Sequence, residues 1–335
     1  MRIHFDISHP AHLNFFKYPI RELQKKGHDV FLTVLDRGSL LSIARREYNE
    51  TLIYRSGKHR GGVFSIIFEA NILKFFRLLS FYFRMRPDVT LSCGGFVAGA
   101  IMKIAGRPNY QFDDDPERKT NVRLEKLTAT VLFFPPVTES RGNIKIYKGI
   151  KEWAYLSPTY FRPDVSVLDE YGLTPGQYVF IREVSRETLN YMGQDKDPVI
   201  AAMVESTAGR NVLFSLEKKS DRQLYPGEWT MLKEPVQDIH SLIFFSRMLI
   251  SSGDSMAREA CALGVPAFYC GGRKMAVNGY LSSTGIFHDV KPEDLAAAID
   301  ETKVASGTRA QIRQKMDEEW DDLTKMVVDL ALKEG

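Results

Sequence analysis

Hydrophobic positions along this chain fall into two patterns that take turns: short continuous apolar runs, and longer stretches with apolar residues three and four apart. The first pattern marks buried strands, the second amphipathic helices. Arg2 to Ile7 is a strand. From about His12 to Lys26, Leu13, Phe16, Ile20 and Leu23 share one helical face, and Gly27 stops the helix. Asp29 to Leu35, Thr51 to Tyr54, Asp88 to Leu91, Asn109 to Phe112 and Val131 to Phe134 read as further strands, the last ending at Pro135-Pro136. Between the third and fourth lies VFSIIFEANILKFFRLLSFYFRMRPD, richer in Phe, Ile and Leu than packing on one sheet face requires. On its wheel Lys74, Arg77 and Arg84 fall within about 80°.

Tyr155 to Gly176 is rich in proline and turn residues and predicts a domain junction. Beyond it the alternation resumes, with strands at Tyr178 to Ile181, Asn211 to Ser215, Met248 to Ile250 and Pro266 to Tyr269, and a short segment around Met231. Helices are expected over Pro198 to Thr207, Asp238 to Ser246, Asn278 to Ser283, Pro292 to Thr302 and, as one long element, Thr308 to Leu332. A chain of 335 residues with this rhythm predicts two α/β domains, about 1–160 and 170–310, with a final helix over 311–335.

The best-defined local signal is LISSGDSMAREACALGVP. An apolar run stops at Ser251-Ser252-Gly253, Asp254 or Ser255 can cap a helix, Ala257, Ala260, Cys261 and Leu263 share one side of it, and Gly264 ends it. Free amides at such a turn, reinforced by the helix dipole, attract a phosphate. Glu259 lies one turn in, on the face of Ser255, where a carboxylate can accept both hydroxyls of a ribose. The competing reading is ordinary αβ architecture with no ligand.

Composition narrows the classes. Apolar residues make up 44% and charged residues 26%, and the net charge of +3 gives no case for nucleic-acid binding. Three cysteines, Cys93, Cys261 and Cys270, show no metal-ligand spacing and fit a reducing compartment. The chain opens directly into a strand, so the expectation is a cytoplasmic protein. From Arg55 to Arg86 seven Lys and Arg face the single acid Glu69. Two readings stay open for this segment: a buried crossover helix with one solvated stripe, or an interfacial element that touches an anionic membrane through 55–86.

Other candidate chemistry sits at strand exits. There is no GxGxxG after the first strand, which removes the main evidence for a dinucleotide enzyme. His9 and His12 stand there instead, where open α/β sheets hold ligands, and a neutral imidazole can take a proton near pH 7. Asp113-Asp114-Asp115 leaves the fifth strand. Three carboxylates in a row invite one to hold a proton or a cation, or they form a solvated loop before the next helix. Arg182, with Arg186 nearby, can hold a pyrophosphate or pair with Glu183 or Glu187.

The stretches FDISHPAHLNFFKYPIRELQKKGHDVFLTVLDRGSL and SSGDSMAREACALGVPAF resemble motifs of the DUF354 family, grouped with GT-B glycosyltransferases and the non-hydrolysing UDP-N-acetylglucosamine 2-epimerases. The second stretch is more distantly similar to the donor-binding motif of MurG. SCGGFVAGAIMKIAGRPNYQFDDDPE is similar to an acceptor-side stretch of the same enzyme. His12 matches the position of the histidine in MurG's first glycine-rich loop, whose glycines are absent here. The resemblance implies a GT-B-like fold, two Rossmann-like domains facing a central cleft, with the C-terminal helix packing back on the first. It implies a UDP-type sugar donor, no tightly bound cofactor or metal, and a glycan or lipid-linked acceptor of the cell envelope. Ser252, Gly253, Asp254, Ser255 and Met256 would meet the diphosphate with Arg182 assisting, Glu259 the ribose, and His12, Asp113 or Asp114 would handle protons. The alternatives are a UDP-sugar 2-epimerase or a non-catalytic nucleotide- or glycan-binding protein. Asp254 is unfavourable beside a diphosphate unless it points away or meets a cation.

Overall fold

The computed structural model describes residues 1–58, 72–185, 197–234, 236, 238–302 and 306–333. The chain divides into two compact units, Met1–Tyr155 with Trp320–Gly335, and Leu156–Glu319. The start of the aromatic segment, with Phe64, Phe68 and Glu69, and the pair Arg186 and Glu187 lie outside the described residues.

In the first unit the strands are β1 (Arg2–Ile7), β2 (Asp29–Asp36), β3 (Leu52–Lys58), β4 (Val89–Cys93), β5 (Asn109–Phe112), β6 (Val131–Phe134) and β7 (Ile144–Ile146). They pair in the order β3-β2-β1-β4-β5-β6-β7, every neighbour parallel. The connections carry helices α1 (Pro10–Lys25), α2 (Leu40–Glu47), α3 (Leu73–Met85), α4 (Phe96–Ile104) and α5 (Lys119–Thr128), and a short α6 (Trp153–Leu156) leads to the second unit. Parallel sheets need crossovers that cover both faces, which is why these strands read as unbroken apolar runs. The core is aromatic: Phe5 and Phe16 rings lie 4.9 Å apart and those of Phe15 and Phe112 5.0 Å apart, all fully or almost fully buried.

The second unit repeats the plan. Its strands are β8 (Tyr178–Glu183), β9 (Asn211–Leu216), β10 (Thr230–Met231), β11 (Met248–Ser251), β12 (Ala267–Tyr269) and β13 (Phe287–Asp289), in the all-parallel order β10-β9-β8-β11-β12-β13. Helices α7 (Asp197–Ser206), α8 (Ile239–Phe244), α9 (Asp254–Ala262), α10 (Ala276–Ser282), α11 (Leu295–Glu301) and α12 (Ser306–Glu319) connect and flank them. The proline-rich stretch after Tyr155 belongs to this unit. Asp164 caps a 3-10 helix over Val165–Tyr171, and its amide donates to Ser241 Oγ at 2.9 Å.

The single helix expected over Thr308 to Leu332 is two. α12 stops at Glu319, and α13 (Leu323–Leu332) belongs to the first unit, packing on α1 and β4 with Leu323, Val327 and Ala331 buried. The break has local causes. Asp322 accepts from the Lys325 amide as a helix cap, Asp321 pairs with the backbone of Lys148, and Trp320 packs edge-on against Trp153 at 5.2 Å. Three further elements carry too short a pattern to be read from sequence: α2, β7 and β13.

Candidate functional site

In both sheets the strand order reverses beside the first strand of the unit, between β1 and β4 and between β8 and β11. Ligands of open α/β sheets bind outside the carboxyl ends of the strands at such switch points. The candidate residues cluster at these two edges, one in each unit.

In the second unit, the loop after β11 is tied down from all sides. Ser252 N donates to Arg182 O at 3.0 Å, and Ser252 Oγ accepts from Val184 N at 2.9 Å. Ser251 Oγ accepts from Gly253 N at 2.9 Å and donates to Gly253 O at 2.7 Å. A Cβ on Gly253 would stand 2.5 Å from Val184 Cγ1, and one on Gly271 only 1.9 Å from Ser252 O, so both strand exits need glycine for their close approach. Ser252 and Gly253 thus use their amides to shape the turn. Gly253 is the N-cap of α9 and gives it no side-chain cap, so helix growth starts at Asp254 rather than after it. The first-turn amides of Ser255 and Met256 have no acceptor within the helix.

Asp254 accepts from Ser255 Oγ at Oδ1, 3.4 Å away. Its Oδ2 meets Arg273 Nη1 at 3.1 Å and Arg258 Nη2 at 3.4 Å. Arg258 is buried and also reaches Asn278 Oδ1 at 3.3 Å. Two arginines thus share this carboxylate beside the helix start. The acid that stood out as unfavourable beside a diphosphate is therefore the anchor for two cations. Glu259 is buried, with Oε1 3.2 Å from Nε2 of His240 on α8. Arg182 donates to Ser215 Oγ at 2.9 Å and lies 3.9 Å from Glu217 on the neighbouring strand end; its partner is this glutamate rather than Glu183. Burial lowers its pKa, with Glu217 working the other way.

In the first unit, a polar chain runs through the buried sheet. His4 lies between Thr90 Oγ1 at 3.0 Å and Thr33 Oγ1 at 2.9 Å, and Thr33 donates to Asp6 Oδ1 at 2.8 Å. Thr33 has one proton and gives it to Asp6, so His4 Nε2 carries the proton it donates to Thr33. Burial drives the His4 pKa down to about 4, which keeps the ring neutral. Asp6 Oδ2 accepts from Lys74 Nζ at 2.7 Å, and Lys74 also donates to Ser8 Oγ at 3.0 Å. Lys74 is 5% exposed. The solvated stripe expected from the helical wheel therefore holds Arg77 and Arg84 but not Lys74, whose flexible stem turns the ammonium inward to Asp6, the one acid of β1.

His9 is the N-cap of α1, its Nδ1 accepting from Ala11 N at 3.2 Å, so the helix starts at Pro10. His12 Nδ1 accepts from Ser8 N at 3.3 Å. An imidazole that accepts at Nδ1 carries its proton on Nε2 when neutral. Burial lowers its pKa well below the usual value, and the charges of Lys151, His9 and Lys74 add to this against the opposing Asp114. His12 is thus held as a neutral ring, with Nδ1 engaged by the Ser8 amide and its proton on Nε2.

The aspartates divide their roles. Asp113 is buried, and its Oδ1 accepts from the amides of Asp114 at 2.8 Å and Asp115 at 3.2 Å, closing a tight turn. Asp115 Oδ2 is 2.7 Å from Arg118 Nε. Asp114 pairs with Lys151 Nζ at 2.8 Å, each side chain about one-seventh exposed. Burial opposes the Lys151 charge, but Asp114, Cys93 and Asp113 outweigh it and hold the ammonium above its ordinary range. Of the three aspartates, Asp114 is the one with access to solvent. Among the described residues no group of acids, histidines and cysteines has metal-binding geometry.

Lys74, Lys151, Glu125, His240, Arg258 and Arg273 come to these sites from elements distant in sequence or from positions that spacing does not single out. Only Arg258 had a local signal, four residues after Asp254 on the same helix face.

Two all-parallel sheets with Rossmann-like order define a GT-B-type α/β protein. Residues 135–334 match the family described as Protein of unknown function (DUF354), and the chain belongs to that family. The fold is shared with solved structures at low identity. A complex of S. aureus MnaA with UDP is 12% identical with a TM-score of 0.71, covering 100% of this chain and 97% of that one. A UDP-GlcNAc 2-epimerase from Neisseria meningitidis bound to UDP-GlcNAc is 13% identical with a TM-score of 0.67, covering 99% and 100%. MurG from Acinetobacter baumannii is 16% identical with a TM-score of 0.61, covering 99% and 100%. Comparison with curated protein sequences gives no match.

The Lys74–Asp6 pair generates a stability prediction. Lys74→Met leaves a buried carboxylate without its cation and is expected to cost about 3–5 kcal/mol in urea unfolding, with Asp6→Asn on the same chain recovering most of it. A loss below about 1 kcal/mol contradicts the pairing.

Proposed function

We propose that the protein is a metal-independent glycosyltransferase that moves a sugar from a UDP-type donor to a cell-envelope or polysaccharide acceptor. The observation that carries this reading is the turn at Ser251–Met256. Its loop amides are committed to shape, its helix start lacks a side-chain cap, and its one acid is matched by Arg258 and Arg273. In this reading the first-turn amides and the two arginines receive the diphosphate, stabilising the charge that builds as the sugar leaves. Glu259, oriented by His240, accepts the ribose hydroxyls, and Arg182 assists. Two structurally similar proteins, solved with UDP and with UDP-GlcNAc bound, support the nucleotide class.

On the acceptor side, Asp114 takes the acceptor hydroxyl's proton, with Lys151 setting its position. His12 donates from Nε2 to an oxygen of the substrate, and Asp113 shapes the turn. An epimerase instead needs groups that take and return a proton at a sugar carbon. Its signature is a C2 epimer formed without acceptor. Proton NMR of the protein with UDP-N-acetylglucosamine alone should show no epimer, whereas a growing epimer signal reverses the ranking.

The donor assignment has its own test. Calorimetric titration should show UDP binding that weakens about tenfold or more in Glu259→Ala, since truncating one partner of buried hydrogen bonds to a charged group removes at least 1.5 kcal/mol. Unchanged affinity in a folded variant sinks the ribose assignment.

We further propose that the acceptor is presented at an anionic membrane, met from the cytoplasmic side. Phe76 and Phe83 on α3 are 62% and 68% exposed, seven residues apart, beside exposed Arg77 and Arg84. The neighbouring helices add exposed Ile104, Leu127, Lys103, Arg123 and Lys126. This mixture suits headgroup attraction and shallow insertion of rings. No helix among the described residues is long and apolar enough to cross a membrane. Co-sedimentation with phosphatidylglycerol vesicles should fall with salt and be lost in Phe76→Ser/Phe83→Ser. Equal recovery with neutral vesicles, or no recovery at all, makes a soluble acceptor the better reading.

A further inference from the structure

The aspartate turn rests on a group that the catalytic reading does not use. Glu125, on α5, is completely buried, and neither of its carboxyl oxygens accepts a hydrogen bond from a neighbouring donor. The same is true of Asp113 Oδ2. The other oxygen of Asp113 is taken by two backbone amides, with Arg118 Nη2 at 3.7 Å. The carboxyls of Glu125 and Asp113 face one another closely enough for each to act on the other's charge, and a hydrogen bond between two carboxyl groups requires a proton. Glu125 Oε1 also lies 3.3 Å from where a Cβ on Gly94 would stand, so the β4 exit closes over it.

Charge counting leads to the same place. Lys151 is matched by Asp114, and Arg118 by Asp115. Asp113 keeps only the longer contact to the same Arg118 at 3.7 Å, and Glu125 has no ion-pair partner among the described residues. Two ionised carboxylates at hydrogen-bond distance in a dry site repel strongly. Four more titratable groups face the cluster: Cys93 and Tyr147 are held in their neutral forms by burial, the buried His12 ring is kept neutral, and the buried Glu152 acts on Lys151 rather than on Glu125.

We propose that Glu125 is a positioning residue that keeps its proton at neutral pH and donates it to Asp113 Oδ2, locking the turn that presents Asp114. Burial, then the charge of Asp113 and the hydrogen bond to it, push the Glu125 pKa up to about 9. The role of the turn in transfer rests on the function proposed above, but the protonation itself does not.

The sign of the pH dependence follows from linkage. A glutamate whose pKa is raised in the folded state must hold a proton that the unfolded chain has released. Stability is therefore lost as pH rises from the ordinary glutamate range toward 9. Glu125→Gln keeps the donor and removes the titration. The ratio of unfolding constants, wild type over Glu125→Gln, should rise about tenfold per pH unit between pH 6 and 8. A ratio independent of pH overturns the proposal.

Should the variant not fold, the wild-type protein labelled with 13C at glutamate carboxyls gives an independent answer by NMR. One glutamate should titrate near pH 9. If every glutamate titrates in the ordinary range, Glu125 is ionised and the proposal fails. Neither experiment contains nucleotide, so a failure here leaves the donor site standing, and a failure to bind UDP leaves the carboxyl pair standing.

Discussion

Every strand in both sheets runs in the same direction as its neighbours, and this constraint arranges the rest of the molecule. A parallel sheet cannot be closed by tight hairpins, so each strand must be followed by a crossover, and all strand exits collect at one edge. Buried on both faces, the strands must be apolar almost throughout. Polar residues that remain inside them, such as His4, Asp6 and Thr33, have to find partners within the sheet or from a helix above it. Lys74 is that partner for Asp6. The ion pair ties α3 to β1 at the point where the strand order reverses, beside Ser8 and His12.

The two units handle charge at their edges differently. In the second, the acid at the helix start, Asp254, is met by two arginines, Arg258 from its own helix and Arg273 from the loop after β12. In the first, carboxyl groups outnumber the cations Lys151 and Arg118, and the charge of the Asp113–Glu125 pair is absorbed by a proton rather than by a counterion. A proton is the smaller perturbation where space is closed by Gly94, Asp113 and α5. The result is a rigid turn with a single partly exposed carboxylate.

What was legible in the sequence was local. The strand, glycine turn and helix of 248–264 could be read because every signal lies within a few residues, and so could the alternation that defines an α/β fold. The positions of Glu259 and Asp254 on α9 followed from helix spacing, but the second arginine on Asp254 comes from the loop after β12, and His240 comes from α8. Neither contact has any trace in spacing. Lys74 was placed with the wet stripe because a wheel shows the direction of Cβ and not the reach of a long stem. Glu125 lies between Arg123 and Lys126 in a helix with many charges and reads as solvated; only the fold turns it toward Asp113. The break at Trp320 was missed for the same reason, since Trp153 and Lys148 are far away in sequence.

The account stands on the turn at Ser251–Met256 being a diphosphate site, and the measurement that tests it most directly is a crystal structure of the protein soaked with UDP. The account predicts diphosphate density against the first-turn amides of α9, with the ribose on Glu259 and the Asp254–Arg258–Arg273 cluster intact. UDP bound elsewhere, or bound with Glu259 still closed on His240 and the helix start unoccupied, contradicts it.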